Sequence, residues 1–293
     1  MRFKITHHLQ YVYSREVFVE PTTLRLKPRD DFSQKLENFR LDLAPFPAGR
    51  SEGLDLYNNP VTLFWHTKDL AKWESASHFT VETLNQNPFN YLITDQQVLK
   101  LPARYSKENR QALAPYLYRV EPDGAVDEMA KRLLSESDDN TLGFLYHMTD
   151  TLHRDFSPVV RLTGEALSPS KTLRRKEGAC RDLAVLYVDL CRSLGIAARF
   201  VSGYKYDPGA KDSFELHAWA EVFLPGAGWR GYDPSLGLAV ADTHIALASG
   251  PGPTEAAAVT GTYRGSDVLS KLSYQISMEN LTQAEQVKVG HEG

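Results

Sequence analysis

The order of apolar and polar positions divides the chain into a β-rich first third and a later part that mixes helices with strands. Up to about residue 106, short runs alternate between apolar and polar residues, and Pro, Gly, Asp and Asn separate them. Several such runs without a helical period predict an all-β sandwich or barrel-like domain. The predicted strands are Arg2–Tyr13, Val17–Lys27, Glu37–Ala44, Val61–Lys68 and His78–Leu84, with a final strand and exit linker over Pro88–Arg104.

The spacing of apolar residues changes to a helical period near residue 107. Asp123–Glu136 and Asn140–Phe156 place apolar residues three and four positions apart, so both are predicted helices that begin at an N-cap residue. A third helix is predicted from Cys180 to just before Gly195, because glycine suits the position after a helix end. The segment 157–176 between them has no clear pattern.

Short strands follow the third helix, and a final strand closes the chain. The strands are predicted at Ala198–Tyr206, Leu216–Leu224, Trp229–Asp233 and Lys271–Met278, with a loop after Leu247 and a polar, loosely held tail at Gln283–Gly293. We expect the last strand to return to the N-terminal domain. The pattern therefore predicts an α+β protein with an N-terminal β-rich domain (residues 1–106), a core (107–247) and a C-terminal loop and strand (248–293).

Composition narrows the possible partners and location. The 293-residue chain has a formal net charge of −4 and lacks a basic stripe, which argues against nucleic acid as a partner. No apolar run reaches the roughly 20 residues that cross a bilayer, so no membrane partner is predicted. The N-terminus alternates rather than forming the apolar block of a signal peptide. We therefore expect a cytoplasmic protein; the oligomeric state stays open.

The two cysteines, Cys180 and Cys191, are expected to remain free. They are eleven residues apart on one predicted helix, which separates them by about 16 Å along the axis. A disulfide needs Cα atoms within about 7 Å. The spacing also lacks the matching histidine pair of a zinc site, and the other histidines are scattered along the chain. No metal and no cofactor are predicted.

Three residues in order form a candidate catalytic set: Cys180, His217 and Asp233. Cys180 is predicted to begin a helix, where the helix dipole favours a thiolate and the free N–H of the same residue can stabilise an oxyanion. His217 begins a strand and Asp233 ends the next one, positions suited to a general base and an orienting acid. Together they indicate acyl transfer. Separately, each also fits a structural role: a buried cysteine, a hydrogen-bonded histidine and a turn aspartate.

The hairpin between the two predicted strands provides a geometric test of this set. If Phe223 lies opposite Trp229, Asp233 lies opposite Trp219 and shares the face of His217. If the pairing shifts by one residue, Asp233 points away. The catalytic interpretation therefore predicts an odd-length hairpin loop or a bulge before Asp233. Aromatic residues Trp219, Tyr204 and Tyr232 are candidates to line a substrate groove, although strand aromatics are also common in cores.

Four blocks of sequence together resemble the bacterial transglutaminase-like family. They are GACRDLA, LCRSLGIAARFVSGY, HAWAEVFLPGAGW and YDPS, within residues 140–245. The resemblance implies a papain-like core, in which a nucleophile helix packs on an antiparallel sheet, and it places Cys180, His217 and Asp233 at the catalytic positions. The N-terminal region looks like the β-domain that precedes this core in many bacterial members, and His244-Ile245 falls where such members have an HI pair.

The resemblance also sets the expected reaction and its alternative. It implies an enzyme that attacks a peptide or protein amide through a thioester, as a cysteine protease or amidase or as a transglutaminase. The alternative is a non-catalytic binding or scaffold module that retains the fold. Residues 248–253 (ASGPGP) differ from the family's usual Gly-Arg-Asp-Tyr stretch, and Ala197 replaces a common proline. The sequence shows no acidic calcium loop, so calcium dependence is not carried over.

Overall fold

The first third of the chain forms six strands. The computed structural model describes residues 1–137, 140–161, 164–209 and 214–282, and the tail predicted at Gln283–Gly293 lies outside them. The strands are β1 (Arg2–Val19), β2 (Thr22–Leu24), β3 (Gln34–Ala44), β4 (Gly49–Leu54), β5 (Pro60–Trp65) and β6 (Leu70–Thr83). The runs predicted at Arg2–Tyr13 and Val17–Lys27 were wrongly divided, because β1 continues through a register shift between Val12 and Val17.

The segment after β6 differs from its prediction. Residues 84–106 form no named strand, so the strand predicted within Pro88–Arg104 is wrong; one short 3-10 helix spans Gln96–Val98. The backbone of this segment bonds to the later part of the chain, with Thr94 N–H donating to Pro225 O at 2.9 Å and Ala103 N–H to Leu194 O at 2.8 Å. These hydrogen bonds give the backbone N–H groups of Thr94 and Ala103 partners, although the segment belongs to no sheet.

The middle of the chain supplies six helices among the described residues. They are α1 (Lys107–Ala112), α2 (Ala114–Leu117), α3 (Gly124–Ser135), α4 (Thr141–Asp155), α5 (Pro169–Arg175) and α6 (Cys180–Ser193). The predicted N-caps of α3 and α4 are confirmed: the side chains of Asp123 and Asn140 accept backbone N–H bonds two residues on. Gly195 follows α6 with φ of 75°, which glycine adopts at little cost. The sequence pattern does not predict α1, α2 or α5.

The remaining strands build the core sheet and complete the N-terminal sheets. They are β7 (Ser157–Pro158), β8 (Glu177–Gly178), β9 (Ala198–Lys205), β10 (Leu216–Leu224), β11 (Gly228–Asp233), β12 (Leu238–Ala239), β13 (His244–Gly250), β14 (Val259–Thr260), β15 (Tyr263–Arg264) and β16 (Ser270–Asn280). The core sheet is antiparallel in the order β12-β11-β10-β9-β13, and α6 packs on β10 and β9. The predicted α+β class, with a nucleophile helix on an antiparallel sheet, is confirmed.

The N-terminal strands form two antiparallel sheets that share an apolar core. One has the order β15-β1-β6-β3 with β16 also paired to β1, and the other has the order β14-β2-β5-β4. Leu9, Val17, Leu24, Phe64 and Trp73, from both sheets, are buried together. The C-terminal strand β16 pairs with β1 from Asn280 opposite Phe3 to Ser270 opposite Tyr13. The strand predicted at Lys271–Met278 lies within β16.

The N-terminal sheets also pack against the core sheet. Phe3, Ile5 and Phe79 share an apolar cluster with Tyr204 of β9 and Ile245 of β13. Tyr204 shares its face of the core sheet with Ala220 and Val222, which pack on α6, so the N-terminal domain and α6 cover neighbouring parts of that face. The N-terminal domain reaches the other face through Arg29, which donates to Glu221. The catalytic candidates lie where the strands of this sheet end.

Candidate active site

Cys180 is the first residue of α6, and a buried acid fixes the turn that precedes it. The Asp182 carboxylate accepts the N–H of Ala179, the residue before Cys180, at 2.9 Å, and it is also bonded to Leu167 N at 2.8 Å and Arg161 Nη2 at 2.5 Å. Cys180 remains partly exposed at a helix N-terminus, whose free N–H groups favour negative charge. The position therefore suits a thiolate and an adjacent oxyanion.

Cys191 contrasts with Cys180 although both lie on α6. Its side chain is fully buried in the apolar core, and burial raises the pKa of its thiol well above the usual value. A buried, protonated thiol is a weak nucleophile. Only one of the two cysteines is thus placed for chemistry.

The β10–β11 hairpin has the register that the catalytic interpretation predicts. Phe223 lies opposite Trp229 and Leu224 opposite Gly228, which leaves a three-residue loop. The predicted odd-length loop is confirmed. His217 and Asp233 consequently share one face of the sheet, and His217 Nε2 lies 2.6 Å from Asp233 Oδ2.

Asp233 is buried and its two oxygens serve different partners. Oδ1 accepts from Ser235 N at 2.9 Å, Ser235 Oγ at 2.6 Å and Leu236 N at 3.3 Å, which closes the turn after β11. Oδ2 faces His217 and His244. Burial by itself would raise the pKa of this carboxyl, but the charge of His217 and the hydrogen bonds from both histidines lower it well below its usual range. Asp233 is therefore both a turn residue and an ionised partner of His217.

His244 is a site residue that the sequence reasoning did not select. Its ring is buried, Nε2 lies 3.1 Å from Asp233 Oδ2, and Nδ1 lies 3.2 Å from Thr243 Oγ1. Burial lowers the pKa of His244 despite the opposing effect of Asp233, so the ring is neutral. We assign its one proton to Nε2, which donates to Asp233, since Nδ1 can accept from the Thr243 hydroxyl. The sequence signal that could have found it is the His244-Ile245 pair, which the family resemblance already singled out.

His217 connects the carboxylate to the thiol. Burial would lower the pKa of His217, but the charge and hydrogen bond of Asp233, together with contact from Cys180, raise it to about 10. Because Nε2 faces Asp233, Nδ1 is the nitrogen available to the thiol. The Trp219 ring stacks near His217 with centroids 6.3 Å apart and meets the His244 ring edge-on at 5.2 Å. The three catalytic candidates are thus brought together.

The three predicted groove residues occupy other positions. Trp219, Tyr204 and Tyr232 are only 1%, 0% and 5% exposed. Tyr204 OH is 2.9 Å from His7 Nδ1 beneath the N-terminal sheet, and Tyr232 stacks on Tyr187 of α6. The prediction that these side chains line a substrate groove is therefore wrong, because each face of the core sheet is covered. Trp219 supports the rings of His217 and His244 instead.

Tyr274 of β16 lies at the mouth of the site, which the sequence reasoning also missed. An isolated bridge joins Phe214 to Ile276, so the same antiparallel register places Tyr274 beside Leu216, the residue before His217. Burial and the neighbouring Glu215 raise the pKa of Tyr274, the Cys180 thiol adds to this, and Arg181 opposes it. The C-terminal strand therefore brings a phenol close to the thiol.

His217, Asp233 and His244 also form a group whose ligand atoms lie within 4.8 Å of one another and could face a cation. The contacts of 2.6 and 3.1 Å are hydrogen bonds, with both histidines directed at the same carboxylate oxygen. A metal would have to displace a proton from each contact. The present arrangement is that of a hydrogen-bond network centred on the Asp233 carboxylate.

In the part of the chain that the structure describes, no helix is long and apolar enough to cross a membrane.

Comparison with known proteins agrees, for two parts of the chain, with the family resemblance seen in the sequence. Residues 128–234 match the transglutaminase-like superfamily and residues 3–82 match the bacterial transglutaminase-like N-terminal region. Uncharacterized proteins of Mycobacterium tuberculosis and Mycobacterium leprae are 27% and 26% identical, over 85% and 90% of this chain and 83% and 94% of their own lengths.

A solved structure extends the likeness to the whole fold. The Cytophaga hutchinsonii protein described as a putative cysteine protease superposes with a TM-score of 0.70 at 20% identity, over 96% of this chain and 91% of its own. At this identity the likeness concerns the fold. The two sequence matches identify residues 128–234 as a transglutaminase-like core and residues 3–82 as a bacterial transglutaminase-like N-terminal region.

Proposed function

We propose that this protein is a cysteine-dependent enzyme that transfers the acyl group of a peptide or protein amide through a thioester. The observation that carries the proposal is the position of His217, which contacts Cys180 on one side and the ionised Asp233 on the other. Such a pair supplies both a thiolate and a proton donor. A cytoplasmic location and the identity of the substrate stay predictions.

The geometry supports a defined sequence of bond changes. The Cys180 thiolate attacks the amide carbonyl carbon, and the N–H of Cys180 is placed to stabilise the resulting oxyanion. The C–N bond then breaks, and the leaving amine takes the proton of the His217 imidazolium. In the second half, a nucleophile loses its proton to His217 as it attacks the thioester, which releases the acyl product and Cys180. Asp233 holds the ring orientation in both halves.

The second nucleophile decides between hydrolysis and transamidation. We favour hydrolysis, because water needs no dedicated binding site, and the name given to the Cytophaga hutchinsonii protein supports this choice. Transamidation would need an acceptor-amine site and exclusion of water.

A scaffold without catalytic activity is the alternative. A scaffold has no use for a buried carboxylate that two histidines share, and keeping such a polar group buried is costly unless all its partners are present. The intact network therefore favours the enzyme.

The pH dependence of Cys180 alkylation by iodoacetamide tests the proposal. A Cys191→Ala background isolates the signal, and His217→Ala removes the paired base. We expect a thiol that reacts well below pH 8.5, the ordinary thiol pKa, and that loses this reactivity without His217. If Cys180 is alkylated at the rate of an ordinary thiol and the rate does not change in His217→Ala, the non-catalytic scaffold is the better interpretation. Amide donors assayed with and without added amines would then separate hydrolysis from transamidation.

A further inference from the structure

A small cavity lies behind Trp219, between the N-terminal domain and the core sheet. Its volume is about 50 Å³, and the charged or donor side chains that line it include Arg29, Arg199, Trp219, Glu221, Arg230 and His244. Arg29 comes from the N-terminal domain, whereas the other five belong to the core sheet. The cavity is thus a junction between the two parts of the molecule, and Trp219 and His244 connect it to the candidate active site.

Backbone contacts fix the wall that the N-terminal domain contributes. Arg29 N–H donates to Ala246 O at 3.1 Å, Gln34 Nε2 donates to the same oxygen at 2.9 Å, and Ala246 N–H donates to Gln34 Oε1 at 2.8 Å. These hydrogen bonds hold residues 29–34 against β13, so this wall of the cavity has a defined position.

The two carboxylates in this region, Glu221 and Asp31, already form ion pairs with arginines. Glu221 is buried and receives Arg29 Nη2 at 2.8 Å and Arg199 Nη2 at 2.6 Å. Burial would raise the pKa of Glu221, but the two guanidinium groups lower it to about 2, so it is ionised. Asp31, which is partly exposed, lies 3.5 Å from Arg29 Nε. Both carboxylates are therefore committed to Arg29 or Arg199.

Arg230 leaves the cavity with an excess of positive charge. Its guanidinium lies over the rings of Phe32 at 5.5 Å and Tyr91 at 4.8 Å, and among the described residues no carboxylate pairs with it. Burial lowers the pKa of Arg230. Three guanidinium groups thus face two carboxylates, and a partly buried cation without a counter-ion is costly.

Buried donors without a partner line the same cavity. Trp219 Nε1 is inaccessible to solvent and, in the described residues, has no acceptor, and the same holds for Arg230 Nε. Indole and guanidinium nitrogens donate but do not accept. A buried donor that is left without an acceptor destabilises the folded state. The group that completes this cavity must therefore be an acceptor, and the excess charge requires it to be negative.

We propose that this cavity binds a small monovalent anion of the size of chloride or formate, which accepts a hydrogen bond from Trp219 Nε1 and balances the excess guanidinium. A single water needs about 10–15 Å³ of such space, so the cavity holds a group of a few atoms and excludes a long-chain anion. The bound anion joins Arg29 of the N-terminal domain to the core sheet. The inference does not depend on the proposed catalytic activity.

Thermal unfolding of the full chain in sodium chloride and in sodium gluconate, at equal ionic strength up to 0.2 M, tests the site. Gluconate provides the same charge but is too long for the cavity. An anion that binds only the folded state stabilises it by mass action. We expect chloride to raise the Tm saturably, by about 2 °C, above its value in gluconate. Equal curves in the two salts would overturn the proposal and indicate a cavity that holds water only.

Matched variants locate the effect. Trp219→Phe keeps a ring beside His217 but lacks the Nε1 donor, so the chloride-specific rise should disappear. Trp73→Phe is the control, because Trp73 Nε1 already bonds to Tyr13 OH at 3.0 Å in the N-terminal core, and it should keep the rise. If Trp219→Phe does not fold, Arg230→Gln replaces it and should at least halve the rise. A full chloride response in the folded member of this pair would refute the site.

Discussion

Gly203 of β9 lies directly opposite His217 of β10, and Ile245 and Trp219 occupy the space that a side chain at Gly203 would need. A Cβ built at Gly203 would lie 2.1 Å from Ile245 O and 2.8 Å from Trp219 Cη2. Neither contact is tolerable, and one of them is to backbone. The close packing of β13 and of Trp219 against β9 therefore depends on glycine at this position.

Gly203→Ala should accordingly damage both stability and the site. We expect a loss of about 3 kcal/mol in the free energy of unfolding, as for overpacked cores, and slower alkylation of Cys180, because Trp219 supports His217. Denaturant unfolding and alkylation rates measure the two effects. Gly53→Ala on the exposed strand β4, where a new Cβ meets nothing within 4 Å, is the control and should stay within about 0.5 kcal/mol. Equal behaviour of the two variants would contradict this packing argument.

His244 should act as a positioning residue for Asp233. Hydrogen bonds to charged groups contribute about 1.5–3 kcal/mol, so His244→Ala should slow Cys180 alkylation at neutral pH by about 10-fold or more. His244→Gln retains an N–H that can reach the carboxylate and should restore most of the rate. A purely structural role would instead lower the Tm in both variants and leave the pH profile of alkylation in place.

Asp233→Asn should remove the charge that keeps His217 protonated. Without that charge, burial dominates and the pKa of His217 falls from about 10 to below its ordinary value. The thiolate–imidazolium pair is then lost at neutral pH, and alkylation of Cys180 at pH 6–7 should fall by about 100-fold or more. The rate measured against pH should approach that of an ordinary thiol. Retention of the wild-type profile would show that Asp233 serves only the turn that Ser235 closes.

The same histidine predicts a decline of stability with rising pH. The pKa of His217 is raised in the folded state to about 10 from about 6.5 when unfolded, so its contribution is complete below pH 6.5. Between these values the unfolded chain has lost a proton that the folded chain keeps. Stability then falls by up to about 1.4 kcal/mol per pH unit and the contribution is gone above pH 10.

Unfolding free energies of Cys180→Ser and of Cys180→Ser/His217→Gln between pH 6 and 10 check this decline, because without the thiol no second group of the pair exchanges a proton over this interval. The difference between the two proteins should be largest near pH 6 and should shrink steadily toward pH 10. A difference that stays constant over this interval would show that His217 is not held as the imidazolium.

The catalytic candidates are accessible to sequence reasoning because each lies at the end of a local element. Cys180 begins α6, His217 lies at the start of β10, and Asp233 ends β11. The hairpin that joins the last two is short, so counting residues reduces its register to two alternatives, and the structure has the one that places His217 and Asp233 on one face. Local periodicity and loop length thus predict the positions of all three residues, while their contact with each other depends on the whole sheet.

The residues that sequence reasoning missed or misplaced depend on distant partners. All seven residues of β13 are buried, so the strand lacks the alternation that marks a half-buried strand, and His244 is hidden in a segment that resembles a loop. Tyr204 was assigned to a groove, but the N-terminal sheet covers it through His7, which is 197 residues away. Nothing local to β9 indicates that cover.

The pairing of β16 with β1 affects how the protein can be made. During synthesis β1 emerges early, but the strand that covers one of its edges, Ser270–Asn280, emerges more than 250 residues later. Until then a nascent chain exposes that edge, with its unpaired N–H and C=O groups, to other strands. Because Ile276 of the same strand bridges to Phe214, three residues before His217, the last strand to be synthesised completes both the N-terminal sheet and the surroundings of the candidate site.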